Sequence, residues 1–142
     1  MIHKWKNGSR ISIDPEKAYQ EMDSLEEKTP ENVLEKARDE NTELHKHFEW
    51  RDDVAAEKYR LQQARHLIVC MVEIQNESSD DVRRVFEISS TPNVYQPRTY
   101  FTINKEEYAI LLGRAKQELY ALKKRYENIA ELEEVFDAIN NL

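Results

Sequence analysis

Six residues recur at spacings of 4, 3, 4, 3 and 4 near the C-terminus: Tyr108, Leu112, Ala115, Leu119, Leu122 and Tyr126. That alternation lines all six along one side of a helix, three heptads long, and an apolar line of that length needs a partner. Asn104 opens the run, with Glu107 at the capping-box position. Asn128 breaks it. Ile129, Leu132, Val135, Phe136 and Ile139 then form a shorter amphipathic stripe of about 12 residues, roughly 18 Å against about 33 Å for the longer helix. The final helix and a sheet can cover part of the line. Ile110 and Tyr120 lie off it and widen the apolar surface, and Ala115 permits close approach of a second copy. The expectation is a homodimer with Leu112, Ala115, Leu119 and Leu122 in its interface and two-fold symmetry.

Breakers are scarce elsewhere, with 2 Gly and 4 Pro in 142 residues, so helices should dominate. Residues 1–13 read as a basic arm carrying Lys4, Lys6 and Arg10, from which Ile11 and Ile13 form a short strand or dock on the core. Asp14-Pro15 and Thr29-Pro30 are helix starts, a capping side chain followed by Pro at the first helical position. The two helices run to about Glu27 and Asp39. Residues 41–50 hold one short helical turn at most, anchored by Leu44, Phe48 and Trp50. Asp52 or Asp53 caps a third helix to about His66, on which Val54, Leu61, Ala64 and Ile68 share an arc. Glu57 falls inside that arc and should sit at its edge or pair with a base such as Arg60. Residues 67–74 are β-rich, 76–81 are turn chemistry and 82–90 alternate, together a hairpin. A third strand is expected over Arg98–Ile103.

The fold expected is therefore α+β and helix-rich: three N-terminal helices, a three-stranded antiparallel sheet and two C-terminal helices covering one face, with 14–142 a single domain. The expected core comprises Trp50, Val54, Leu61, Ile68, Val72, Phe86, Ile88, Phe101, Leu112, Leu119 and Phe136.

Composition narrows the function. Two glycines cannot build a phosphate-binding loop or a dinucleotide fingerprint. No run of 18 apolar residues spans a membrane, and the opening segment has no apolar stretch of signal-peptide type. Cys70 is the only cysteine, which fits a reducing cytoplasm. The net charge of −7 is uneven: +3 over residues 1–13, −7 over 14–50, +1 over 51–66 and −4 beyond. An acidic chain is a poor generic DNA binder, although a locally basic surface still binds phosphate. The acidic first two helices serve solubility, face a basic host protein or mimic nucleic-acid charge.

No catalytic pattern stands out. His45 and His47 diverge on a helix and converge only in extended chain, so no metal site is assigned. Asp52-Asp53 and Asp80-Asp81 sit where a cap or turn wants Asp. No Ser sits in a Gly elbow and no Cys has a neighbouring catalytic His; Cys70, in an apolar stretch, reads as a buried small hydrophobe. Lys123-Lys124-Arg125 complement the dipole at a helix C-terminus. The reading is non-enzymatic, with no cofactor. The third helix carries the one patterned polar feature: Arg51, Lys58, Gln62 and Arg65 fall within about 60° of one another on the wheel. Arg reads guanine edges and Gln adenine edges, and the following hairpin can act as a wing. Duplex-DNA binding through helix 51–66 and the basic arm is thus the alternative to a protein-directed module.

The stretch Thr29-Pro30-Glu31, Ala37-Arg38-Asp39, Leu44-His45, Phe48-Glu49-Trp50, Asp53, Ala55-Ala56, Tyr59-Arg60-Leu61, Ala64-Arg65 and Ile68 resembles a family of small proteins encoded by bacteriophages and prophages. The likeness continues into Tyr126, Leu132, Val135-Phe136 and Ile139, covering roughly residues 14–140. It implies a phage origin, a bacterial cytoplasm and an unknown bacterial or phage protein as partner, and carries no reaction with it.

Overall fold

The computed structural model describes residues 1–51, 56–77 and 82–142. The caps expected at Asp52 and Asp53, the core position Val54, Ala55 and the Asp80-Asp81 turn lie outside the described residues. The chain divides into two compact units, Met1–Arg98 and Thr99–Leu142, where the sequence suggests one domain over 14–142.

In unit 1 the expected arm begins as a strand. β1 (Ile2–Trp5) pairs antiparallel with β2 (Met71–Ile74), Ile2 opposite Ile74 and Trp5 opposite Met71. The strand is fixed by its inward residues: His3 is buried, stacked on Tyr19 at 3.6 Å between ring centroids, and the Trp5 indole N–H donates to the Ile13 carbonyl at 2.7 Å. Gly8, at φ 84°, supplies the left-handed turn that leads off the strand. Ile13 docks in the core.

α1 (Pro15–Asp23) and α2 (Pro30–Ala37) start where the sequence places them. Asp14 Oδ1 accepts from the Lys17 N–H and Thr29 Oγ1 from the Asn32 N–H. α1 ends four residues before the expected Glu27. Among the described residues between α2 and α3 the one helical piece is a 3₁₀ turn, Leu44–His47, and Leu44 is fully buried.

α3 (Ala56–Cys70) runs four residues past the expected end and leads straight into β2. Ile68 and Val69 favour strand, but a strand there would turn Leu67 and Ile68 to opposite faces. The helix buries both, together with Ala56, Arg60 and Ala64.

The expected single sheet is split. β2 pairs with β3 (Arg83–Arg84) as the expected hairpin, giving the order β1-β2-β3. After Val85 the chain changes partner: β4 (Phe86–Ile88) pairs with β5 (Tyr95–Pro97) in a separate two-stranded sheet. Pro97 ends β5, since it cannot extend a ladder as donor. Residues Arg98–Ile103, expected as the third strand, instead form α4. Only Phe101 of that stretch is buried, and Ile103 is 83% exposed, so alternation never governed it. The Thr102 hydroxyl donates back to the Thr99 carbonyl, a helical contact.

The core of unit 1 gathers Met22, Val33, Leu34, Leu44, Leu67, Ile68, Met71 and Phe86, with Trp50 and Leu61 packed at its margin. Val72, Phe101 and Phe136 are buried as expected, whereas Ile88, Leu112 and Leu119 are exposed. In unit 2, α5 (Lys105–Tyr126) is capped by Asn104, and α6 (Glu133–Asn140) lies against it with Phe136 and Ile139 buried.

Candidate functional site

Three sets of side chains are candidates for function. The first is the basic stripe. Lys58, Gln62 and Arg65 sit one turn apart on the exposed side of α3, opposite its buried face. Arg51 lies outside the described helix, its side chain 93% exposed and 3.3 Å from Glu49. Lys4 and Lys6, two apart at the end of β1, are both exposed. The Lys6 N–H donates to the Cys70 carbonyl and the Ser9 carbonyl accepts from His66 Nε2 at 2.9 Å. These bonds bring Lys6 and Ser9 to the C-terminal half of α3.

Arg60 belongs to a different arrangement that sequence reading missed beyond its pairing with Glu57. That ion pair is present at 3.6 Å, and Glu57 also meets Arg38 at 2.8 Å. But Arg60 is 4% exposed. Its Nε donates to the Glu49 carbonyl at 2.7 Å and a terminal nitrogen to the Arg51 carbonyl at 3.2 Å. The guanidinium lies 5.2 Å over the Trp50 ring, which in turn stacks on His45 at 4.8 Å. It is a clamp on the segment entering α3, not a ligand-facing cation. The position of Arg60 on the arc of Ala56, Ala64 and Leu67 was the available signal.

The second set holds the titratable groups. His45 Nδ1 faces the Ala37 carbonyl at 2.8 Å, while His47 sets its ring edge-on to Phe48. The two rings are thus committed to separate packing. Among the described residues no three His, Cys, Asp or Glu side chains group as a metal site would require. His66 stands one helical turn before Cys70, and Sγ lies 3.5 Å from Nδ1. Sγ is also 3.8 Å from Nε2, so the thiol lies against the imidazole ring, whose Nε2 donates to the Ser9 carbonyl. Burial pushes the Cys70 thiol up, with Lys6 and Arg84 acting the other way, so the sulfur stays protonated at neutral pH.

Two further shifts give a pH dependence. Burial, then the nearby His66, holds His47 below its ordinary value. Burial pushes Glu16 up, but the backbone N–H and ring of His3 outweigh it and hold Glu16 below the usual carboxylate range. In both cases protons bind the unfolded chain first as pH falls, so both contributions are intact at neutral pH and are lost on acidification. The urea midpoint should hold steady above the ordinary histidine value of about 6.5 and decline below it. His47→Gln should flatten the decline down to the carboxylate range and leave the Glu16 step. An unchanged profile in that variant would remove His47 as the cause.

The third set is on α5 of unit 2. The six residues of the 4-3-4-3-4 line are not covered: Leu112 is 44%, Leu119 38% and Leu122 45% exposed, with Tyr108, Ala115 and Tyr126 exposed beside them. α6 takes the neighbouring flank. There the Tyr120 hydroxyl donates to the Leu142 carbonyl and Lys123 Nζ to Asn140 Oδ1. The expectation that Leu112 and Leu119 fill an intrachain core therefore fails, because α6 is only eight residues long and covers one side of a 22-residue helix.

Comparison of the chain with protein-family models, with curated proteins and with solved structures finds no match in any of the three.

Proposed function

We propose that this protein is a non-enzymatic interaction or regulatory module that works through protein contacts made by α5. The observation that carries the reading is the continuous line of exposed Leu and Tyr side chains on that helix. Scattered exposed apolar residues are ordinary, but a contiguous row along one face marks a contact surface. On the sequence resemblance, its setting is the cytoplasm of a bacterium carrying phage. Partner capture from bacterial lysate by the tagged chain should survive nuclease treatment and fall at least tenfold with Leu119→Lys, a loss of about 1.4 kcal/mol or more. Capture that nuclease abolishes, or that Leu119→Lys leaves intact, would overturn the assignment.

A second reading, duplex-DNA binding, is favoured by one observation: Lys58, Gln62 and Arg65 project together from the exposed side of α3. Arg51, Lys4, Lys6 and Arg10 would add phosphate contacts. On this reading binding weakens steeply with salt, and Lys58→Glu with Arg65→Glu abolishes a gel shift at about 100 mM salt while circular dichroism stays unchanged. A shift retained by that double variant would exclude α3 as the reader.

A further inference from the structure

Asn7-Gly8 is the only Asn-Gly pair in the chain, and it forms the corner of the turn that leaves β1. The Ser9 N–H donates to the Lys6 carbonyl at 3.0 Å, Gly8 sits at φ 84° and Asn7 does not sit at positive φ, the pattern of a type II turn. Both residues are exposed, and the place where a Cβ of Gly8 would lie has no atom within 4 Å. Among the described residues neither the Gly8 N–H nor the Asn7 side-chain amide has a hydrogen-bond partner.

That combination sets up a reaction within the chain. A backbone nitrogen can attack the side-chain carbonyl of the asparagine before it through a five-membered ring, and holding both groups in one short loop favours closure. A side chain on the attacking residue obstructs the approach, and glycine has none. In the turn the Asn7 ψ is about +120°, which holds the Gly8 nitrogen away from the Asn7 side chain. Rotation about that bond brings them together, and it breaks the one hydrogen bond that closes an exposed turn. Elsewhere the attacking nitrogen is engaged. The N–H after Asn41 donates to the Asp39 carbonyl, that after Asn93 to Thr91 and that after Asn128 to Tyr126. The residues that carry them, Thr42, Val94 and Ile129, are all β-branched and crowd the approach.

We propose that Asn7 is a self-modification site, converting to aspartate and isoaspartate through a cyclic imide with Gly8. The Gly8 nitrogen gives its proton to water and bonds to the Asn7 Cγ. The bond from Cγ to the side-chain nitrogen breaks, and ammonia leaves. Water then opens the imide. Cleavage between Cγ and the Gly8 nitrogen leaves aspartate in an ordinary backbone; cleavage at the backbone carbonyl routes the chain through Cγ as isoaspartate. One water enters, one ammonia leaves, and nothing is oxidised or reduced. Either product puts a carboxylate beside Lys6 and lowers by one the +3 carried by residues 1–13. Both flanks of the turn stay tied, Lys6 by its N–H to the Cys70 carbonyl at 2.9 Å and Ser9 by its carbonyl to His66 Nε2 at 2.9 Å, so the change is confined to the corner.

The test ages the full chain in mildly alkaline buffer and cuts it with a glutamate-specific protease. The fragment Met1–Glu16 holds Asn7 as its only side-chain amide, so its mass reports this site alone. It should gain the difference between an amide and an acid and split into two chromatographic forms. Asn41, Asn93 and Asn128 should remain amides over the same period, and the circular dichroism of the chain should not change. Asn7→Gln, which must close a six-membered ring, should slow the gain at least about tenfold. An Asn7 amide that outlasts any of those three overturns the site. Aspartate as the sole product, or an equal rate in Asn7→Gln, overturns the Gly8 nitrogen as the attacking group. Loss of the circular dichroism signal in step with conversion overturns the confinement of the change to the turn.

Discussion

Replacing Arg60 with methionine should destabilise the protein by about 3 kcal/mol and lower its melting temperature by about 10 °C, although the exchange nearly conserves volume and adds apolar surface. The cost arises in the groups left behind. The Glu49 and Arg51 carbonyls lose their donors, Glu57 loses one of its two cations and keeps Arg38, and the Trp50 ring loses the cation above it. Hydrogen bonds from a charged donor are the strong ones, and stranding their acceptors costs more than removing both partners together. Arg60→Lys should recover less than half of the loss, because an ammonium cannot span two carbonyls in the planar geometry of a guanidinium. A thermal shift under about 3 °C for Arg60→Met would show that the contacts of Arg60 do not hold this segment.

Phe86→Ala should cost about 4 kcal/mol, with a lower urea midpoint and an unchanged slope. Phe86 is 2% exposed and stands where the chain leaves β3 and enters the second sheet. Its ring lies 6.2 Å from Tyr19, which stacks on His3, so one side chain joins β4, α1 and β1. The comparison residue is Ile88, two positions on and 37% exposed. Ile88→Ala should cost less, about 1 to 2 kcal/mol, since over a third of its surface stays in water in either state and its removal leaves no closed cavity. Equal losses for the two would contradict the burial that separates them.

Ile88 and Phe86 also mark how far the sequence could be read. Both were expected in the core because alternation gives the face of a strand but not whether that face is covered. Helix starts were legible to the residue at Asp14 and Thr29, where a side-chain cap and the following Pro act within one turn. Helix ends were less so: nothing local stops α3 at His66, and the burial of Leu67 and Ile68 carries it to Cys70. The β-propensity of Tyr100, Phe101 and Ile103 misled for the same reason, since propensity yields to what each residue packs against.

The candidate sites divide in the same way. Lys58, Gln62 and Arg65 were placed together by the wheel alone, and the helix keeps them so. Arg60 and the contact of His66 with Cys70 were not assigned their surroundings. The partners of Arg60 are carbonyls 9 and 11 residues away, and the loop that fixes His66 is 57 residues away.

By itself the sequence determined the helix-rich α+β character, the caps of α1, α2 and α5, the hairpin joining β2 to β3 and the heptad line, because each follows from interactions within a few residues. Tertiary structure alone decided that the first residues form a strand against β2, that the sheet divides after Val85, and that Leu112 and Leu119 face outward. These depend on which distant surface is available to bury a side chain. A periodic pattern records that a face is apolar; whether another part of the same chain covers it is set by the lengths and positions of all the other elements.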